Sequence, residues 1–284
     1  VSFEPITWEL PSRSLTTSDH TLIMGIVNVT PDSFSDGGRW IDTAAAINRG
    51  RELAAIGADV IDVGGESTRP GAAPVEIPEE LARVMPVVET LAGEGIVVSI
   101  DTSKPSVAAG AIDAGAEIVN DVTGLSNPAM IEACSATGVG VVIMHMLGEP
   151  RTMQLDPTYE DVVAEVAGFL RHRTEEAIAA GIGASRIVVD PGIGFGKTIR
   201  HNLALLDGIE RLGDGRPVLI GASRKAFLGS ILDRAGRPSA AEDRDRATGA
   251  TIALAIEKGA AIVRVHDVAG AVDVGRTTDA IVRV

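Results

Sequence analysis

A chain of 284 residues is long enough for one large α/β barrel or two smaller domains. Its 25 basic and 39 acidic residues leave a net charge of −14, which argues against a polyanion such as DNA as the main partner. That charge still allows a small phosphorylated ligand held by a few local cations, and the general acidity is read as solubility. The single cysteine, Cys134, excludes a disulfide framework or thiolate metal cluster within one chain. Lying in a helical stretch with no motif around it, Cys134 is expected to be a small buried hydrophobe. No apolar run approaches the ~18 residues of a membrane span and no signal peptide is read at the start, so a cytoplasmic protein without a membrane partner is expected.

In chain order, residues 1–20 are irregular, and Phe3, Ile6, Trp8 and Leu10 suggest a short hairpin capping one end of the fold. Eight apolar, β-branched runs follow: Leu22–Val27, Val60–Val63, Ile96–Ile100, Ile118–Val119, Val139–Met144, Ile187–Val189, Val218–Ile220 and Ala261–Val265. Runs without polar alternation are buried on both faces, as in a parallel sheet. Between and after them lie stretches of helical periodicity: Ala44–Ile56, Pro78–Leu91, Pro105–Ala114, Pro128–Ala136, Glu160–Ala180, His201–Leu212, Glu242–Lys258 and Val268–Val282. Pro105 and Pro128 each follow a polar residue, a helix-start signal. Gly57, Gly115, Gly138, Gly181 and Gly259 stand where helices end. Eight strand–helix units predict a (β/α)8 TIM barrel, a single domain with residues 1–20 as an extension and 21–284 as the barrel. A doubly wound open sheet is the alternative.

In such barrels the chemistry sits at the C-terminal ends of the strands. Those ends carry Asn28, then Gly64-Gly65-Glu66-Ser67-Thr68-Arg69-Pro70, Asp101-Thr102, Asn120-Asp121, His145, Asp190, Ser223-Arg224-Lys225, and Arg264 with His266. Charged and hydrogen-bonding groups are costly to bury without partners, and a ligand is the simplest partner. Asp101, Asn120 and Asp190 could read the donor–acceptor edge of a nitrogen heterocycle, since a carboxylate suits paired N–H donors. Asn28, Arg264 and His266 share neighbouring strands in a closed barrel and suit a phosphate or diphosphate, with Mg²⁺ taking oxygen from Asn28. The plainer alternative is a structural network in which carboxylates pair with Arg264 and Lys225.

The stretch Asp190-Pro191-Gly192-Ile193-Gly194-Phe195-Gly196-Lys197 puts a carboxylate at the end of a buried strand and a glycine-rich turn after it. Glycine lets the backbone there approach a ligand closely. His145 is equally readable as a functional group and as a satisfied core residue, while His20, His172 and His201 are read as surface or helix residues. No His spacing suggests zinc, and neither a P-loop nor a dinucleotide-binding fingerprint is present.

These motifs resemble one family. Asn28-Val29-Thr30-Pro31-Asp32-Ser33-Phe34-Ser35-Asp36-Gly37-Gly38, Gly64-Gly65-Glu66-Ser67-Thr68-Arg69-Pro70-Gly71 and Ser99-Ile100-Asp101-Thr102 are similar to the motifs of dihydropteroate synthases, the folate-pathway enzymes that sulfonamides inhibit. Asn120-Asp121-Val122, Met144-His145-Met146, Asp190-Pro191-Gly192, Ser223-Arg224-Lys225 and Arg264-Val265-His266-Asp267 complete the likeness, which covers about residues 22 to 282. The resemblance implies condensation of 6-hydroxymethyl-7,8-dihydropterin diphosphate with p-aminobenzoate, releasing diphosphate with Mg²⁺ as cofactor. It implies that Asp101, Asn120, Asp190 and Lys225 hold the pterin, and that Asn28, Arg264 and His266 hold the diphosphate and its metal. Thr68, Arg69, Pro70, Ser223 and Lys225 would surround p-aminobenzoate, and Asp32 and Phe34 would ride on a loop that folds over the site. Asp101, Lys225, Arg264 and His266 would carry the catalysis. The resemblance further implies a homodimer, and sulfonamides as competing ligands. Leu147 and Ala226 depart from the family pattern. Two other readings are a catalytically silent pterin-binding paralogue with the same barrel, and a relative of the methyltetrahydrofolate–corrinoid methyltransferases, which have no use for a diphosphate site.

Overall fold

The computed structural model describes residues 5–30, 39–67, 73–149 and 152–284. The eight apolar runs form eight parallel strands: β3 (Leu22–Asn28), β4 (Val60–Gly64), β5 (Val98–Asp101), β6 (Ile118–Asp121), β7 (Gly140–Met144), β8 (Ile187–Asp190), β9 (Leu219–Ile220) and β10 (Ile262–Val265). Their order in the sheet is β8-β7-β6-β5-β4-β3-β10-β9. A parallel bridge from Val189 to Val218 and the bond from Val189 N–H to Pro217 carbonyl (3.0 Å) join the two edges. The sheet therefore closes on itself, as the (β/α)8 reading expects, and the open doubly wound alternative is overturned.

The helices are α1 (Arg39–Ile56), α2 (Ile77–Gly93), α3 (Pro105–Asp113), α4 (Pro128–Thr137), α5 (Val162–Ala179), α6 (Ile199–Asp207), α7 (Ala226–Arg234), α8 (Asp245–Glu257) and α9 (Val268–Val282). Each of the eight expected helices is present, with two adjustments. The stretch read as His201–Leu212 is α6 followed by a separate 3-10 turn, Ile209–Arg211, and Glu242–Lys258 begins with a 3-10 turn before α8. Helix α7 was not anticipated. It starts directly after Lys225, the last residue of a motif that the sequence pattern places at a strand end. Asn127 caps α4 by accepting from the Ala129 N–H, and Gly138 ends it at φ 73°, a left-handed conformation open to glycine without strain. Cys134 is buried in α4, as expected.

Two apolar layers hold the barrel. The outer one joins strand faces to helices and includes Ile23, Val63, Val84, Leu91, Ile143, Leu170 and Val263. The inner one fills the N-terminal half of the barrel with Leu22, Met24, Val60, Ile118, Val142, Val188, Leu219 and Ile262. Its lower end is plugged by the hairpin of β1 (Thr7–Glu9) and β2 (Ser14–Thr16), which pair antiparallel with Trp8 opposite Leu15. Trp8 and Leu10 belong to the inner layer, and the Trp8 indole N–H donates to the Arg186 carbonyl at 2.9 Å. Ser12 and Arg13 fasten the hairpin to Glu117, through a hydroxyl bond of 2.7 Å and an ion pair of 3.0 Å. The hairpin expected from Ile6, Trp8 and Leu10 is therefore the floor of the barrel; Phe3 lies outside the described residues.

Trp8 is only 1% exposed and fills the end of an otherwise open cylinder. Trp8→Ala is expected to cost roughly 3–5 kcal/mol, the usual range for a large buried aromatic. In urea denaturation the midpoint should fall while the slope stays unchanged.

Candidate active site at the C-terminal mouth of the barrel

Side chains alternate along a strand, so every second residue of each strand faces the barrel axis. Above the apolar layer the inward positions become polar. Asn28, Gly64, Asp101 and Asn120 are successive cross-strand partners on β3, β4, β5 and β6, so three of the predicted residues share one row. Two residue pairs below that row, and so again facing inward, Asp62 lies opposite Ser99.

Arg264 rises from β10 and crosses to these carboxylates. Its Nε donates to Asp62 Oδ2 at 2.6 Å and its Nη2 to Asp101 Oδ2 at 2.6 Å. Asn120 Nδ2 donates to the same Asp62 oxygen at 3.1 Å. Burial opposes the charge on Arg264, but Asp62 and Asp101 more than offset it and raise its pKa. Burial pushes Asp101 up to about 7, against the downward pull of Arg264 and with help from the nearby Asp62, Asp121 and Glu80 carboxylates. The structural network weighed from sequence thus exists for Arg264, at the same barrel mouth as the predicted site residues.

On the opposite wall, Asp190 is buried at the end of β8 and accepts from the Gly192 N–H at 2.7 Å. Burial raises its pKa, partly countered by Lys225. Lys225 is lowered to about 8 by burial, with Asp190 pulling the other way. Its ammonium donates to the Ile193 carbonyl and sits 4.3 Å from the centroid of the Phe195 ring, a cation–π contact. The turn that supplies both partners needs its glycines. Gly192 and Gly194 have φ of 65° and 84°; a Cβ on the first would collide with the His145 carbonyl, and on the second would lie 2.8 Å from Lys225 Cδ.

Ser223 and His266 are brought together: Ser223 Oγ lies 3.0 Å from His266 Nδ1 and accepts from the His266 backbone N–H at 3.2 Å. His266 is thus tied to Ser223, and Arg264 to Asp62 and Asp101. Asp32, Phe34, Thr68, Arg69 and Pro70 lie outside the described residues.

Oxygen donors suited to a hard cation stand near Gly64. A Cβ there would be 3.8 Å from both Asn28 Oδ1 and Asp101 Oδ2. Among the described residues no group of three or more His, Cys, Asp or Glu could hold a metal ion by itself. That donor set fits Mg²⁺, which is commonly bound by one or two protein oxygens together with substrate phosphates.

Reading strand ends alone missed Asp62, the fully buried carboxylate that anchors Arg264. The signal was available: Asp62 alternates with Val60 and Gly64 in Val60-Ile61-Asp62-Val63-Gly64, so it must face the barrel axis. A second omission is the cluster in which Lys104 pairs with Glu66 (2.5 Å) and with the wholly buried Glu80, which also accepts from Thr102 Oγ1 at 2.7 Å. Val75 N–H donates to the other oxygen of Glu66 at 3.2 Å.

The pterin binding enzyme family profile matches residues 24–266. The dihydropteroate synthase of Mycobacterium leprae is 47% identical over 258 residues, covering 88% of this chain and 90% of its own. The chain belongs to the dihydropteroate synthase family. Among solved structures, the Xanthomonas albilineans enzyme with 4-aminobenzoic acid superimposes with a TM-score of 0.91 at 44% identity, covering 99% of this chain and 100% of that one. The Burkholderia cenocepacia enzyme complexed with 7,8-dihydropteroate gives 0.88 at 44% identity, over 99% and 98% of the two chains. This family's barrel is thus the one described above, and no helix among the described residues is long and apolar enough to cross a membrane.

Removing Asp62 leaves Arg264 half-paired in a buried setting. Asp62→Ala is expected to lower stability by roughly 3–5 kcal/mol, the scale of a broken buried ion pair. Chemical denaturation measures it; a loss below about 1 kcal/mol, the worth of an exposed pair, would mean that Arg264 turns to solvent instead.

Proposed function

We propose that the chain condenses 6-hydroxymethyl-7,8-dihydropterin diphosphate with p-aminobenzoate to give 7,8-dihydropteroate and diphosphate. The observation that carries this reading is the polar ring of Asp101, Asn120, Asp190, Lys225 and Arg264 held over an apolar barrel floor, in a chain of this family. Asp190 and Asn120 offer acceptor and amide groups to the pterin's ring donors, and Lys225 donates to a ring acceptor. The raised pKa of Asp190 marks a buried carboxylate short of donors, and the ring's N–H groups would supply them.

The carbon–oxygen bond between the pterin methylene and the diphosphate breaks, its electron pair leaving with the diphosphate. Positive charge then spreads into the ring, where the Asp101 carboxylate stabilises it. Arg264 and His266 lie on β10 and just beyond it, and they stabilise the charge growing on the leaving group. Bound near Asn28, Mg²⁺ would supply further neutralisation of diphosphate charge. The p-aminobenzoate nitrogen attacks the activated methylene and loses a proton to the surrounding water or diphosphate. Ser223 and Lys225, with Thr68, Arg69 and Pro70, are assigned to the p-aminobenzoate side, and Asp32 and Phe34 to the covering loop. Sulfonamides are expected to compete at the p-aminobenzoate side. A cytoplasmic homodimer is the proposed form of the enzyme.

The deciding experiment is a diphosphate-release assay with pterin diphosphate and Mg²⁺, with and without p-aminobenzoate. Release that requires p-aminobenzoate and yields dihydropteroate is expected. Tight pterin binding without release would favour the silent-paralogue reading.

Two predictions test the roles. In kcat/KM for the pterin substrate, which reports the free enzyme, the rate should fall as pH drops through about 7, because protonating Asp101 removes the charge that the cation needs. A flat profile from pH 5 to 8 would exclude that role. Arg264→Ala should weaken binding of the pterin diphosphate at least about tenfold more than binding of the pterin alcohol, as expected for lost charge-assisted hydrogen bonds; calorimetry compares the two, and equal losses would count against a diphosphate role.

A further inference from the structure

The buried side chain of Lys197 has no part in the reaction as described, yet it sits behind the turn that carries Ile193 and Phe195. It is 3% exposed, far below the usual exposure of lysine. Its Nζ lies 2.9 Å from His145 Nδ1, 2.8 Å from the Phe195 carbonyl and 3.4 Å from the His145 carbonyl. Burial pulls Lys197 down to about 7, with Asp190 opposing, and in its charged form it offers three donors to these three neutral acceptors. His145 can accept at Nδ1 only in its neutral form with the proton on Nε2. Burial, reinforced by Lys197, holds the ring neutral by pushing its pKa down to about 3.

The contacts tie two segments together. One is the end of β7 and the residue after it, where the His145 N–H donates to the Asp190 carbonyl at 3.0 Å. The other is the turn 192–196, held on its far side by Asn202 Oδ1 accepting from the Gly194 N–H at 2.6 Å and by Tyr159 Oη donating to the Gly196 carbonyl at 2.9 Å. The inner side of the turn supports Lys225, through the Ile193 carbonyl and the Phe195 ring. Lys197 is bonded to the carbonyl of the very residue whose ring Lys225 faces.

We infer that Lys197, with neutral His145, is a positioning residue that fixes the 192–196 turn and through it sets Lys225 against the pterin end of the site. This deepens the proposed function and rests on its assignment of Lys225. A side chain acting through Lys225 has a distinctive signature: its loss should matter only while Lys225 is present.

The test is a double-mutant cycle on Lys197→Met and Lys225→Met. It is read by calorimetric affinity for 6-hydroxymethylpterin, which needs no turnover, and by the KM values of the condensation. Lys197→Met is expected to weaken pterin binding about tenfold, the scale of one lost buried hydrogen bond, and to raise the KM for p-aminobenzoate as well, because Lys225 is assigned to both substrates. In the Lys225→Met background the same change should add less than about twofold, since residues in one network are non-additive. Full additivity, or unchanged pterin affinity in Lys197→Met, overturns the inference. If Lys197→Met fails to fold, His145→Leu removes one acceptor while leaving the carbonyl partners, and it takes that variant's place in the cycle. His145→Asn, which returns an acceptor near the Nδ1 position, should restore affinity lost in His145→Leu; no recovery overturns the role of the pair. A wild-type protein that binds pterin but releases no diphosphate would sink the condensation reading and leave the binding cycle to decide this inference separately.

Discussion

The guanidinium of Arg264 is the interaction on which the mouth of the barrel depends. Asp62 and Asp101 are carried inward by neighbouring strands, and two carboxylates in so little water cannot both stay charged without a cation between them. Arg264 supplies that cation from the other side of β3, reaching both at 2.6 Å. The arrangement is one of shared scarcity. One arginine serves two acids, and burial still lifts Asp101 to about 7 against the pull of Arg264, far above an exposed aspartate. A group held that close to neutrality responds strongly to any charge that arrives beside it. In the proposed reaction the diphosphate competes for Arg264 while the pterin acquires positive charge next to Asp101, so the two ends of the substrate draw the resting ion pair apart.

Stability and chemistry are divided along the barrel axis. The lower half is closed by Trp8, Leu10 and the inner apolar layer. The upper half gathers Asp62, Asp101, Asp190, Lys225 and Arg264, all deeply placed. Such a distribution would be hard to sustain in an open sheet. Closure of β8 onto β9 through Val189 and Val218 is what brings the Asp190 wall to face the Asp101 wall.

Much of this was legible in the sequence, for a definite reason. Continuous apolar runs such as Val139–Met144 and Ile187–Val189 can only be strands buried on both sides, and eight of them alternating with helices leave few architectures. Strand-end polarity likewise pointed to Asp101, Asn120, Asp190 and Arg264, because buried polar groups are costly enough to need an explanation. The signal failed at a buried charged position that is neither a strand end nor part of a motif. Asp62 lies two residues inside β4, and its inward direction follows only once the pleat is combined with barrel closure. Helix α7 escaped notice because Ala226–Arg234 is short and adjoins the Ser223-Arg224-Lys225 motif, which drew the whole segment into the site. The pairing of His266 with Ser223 depends on side-chain direction, which strand order does not specify.

Lys197 shows a further limit of linear reading. In sequence it is one more residue after a run of glycines, and a lysine beside a glycine-rich turn is usually at the surface. The fold reverses that expectation because Gly192 and Gly194 allow the turn to lie directly against His145 on one side and Lys225 on the other. A turn built so closely has little side-chain bulk of its own to hold its shape. Its rigidity has to come from outside, from hydrogen bonds to its carbonyls and N–H groups, and Asn202, Tyr159 and Lys197 provide them. The glycines that let the backbone approach the site therefore create the need for the buried lysine behind it.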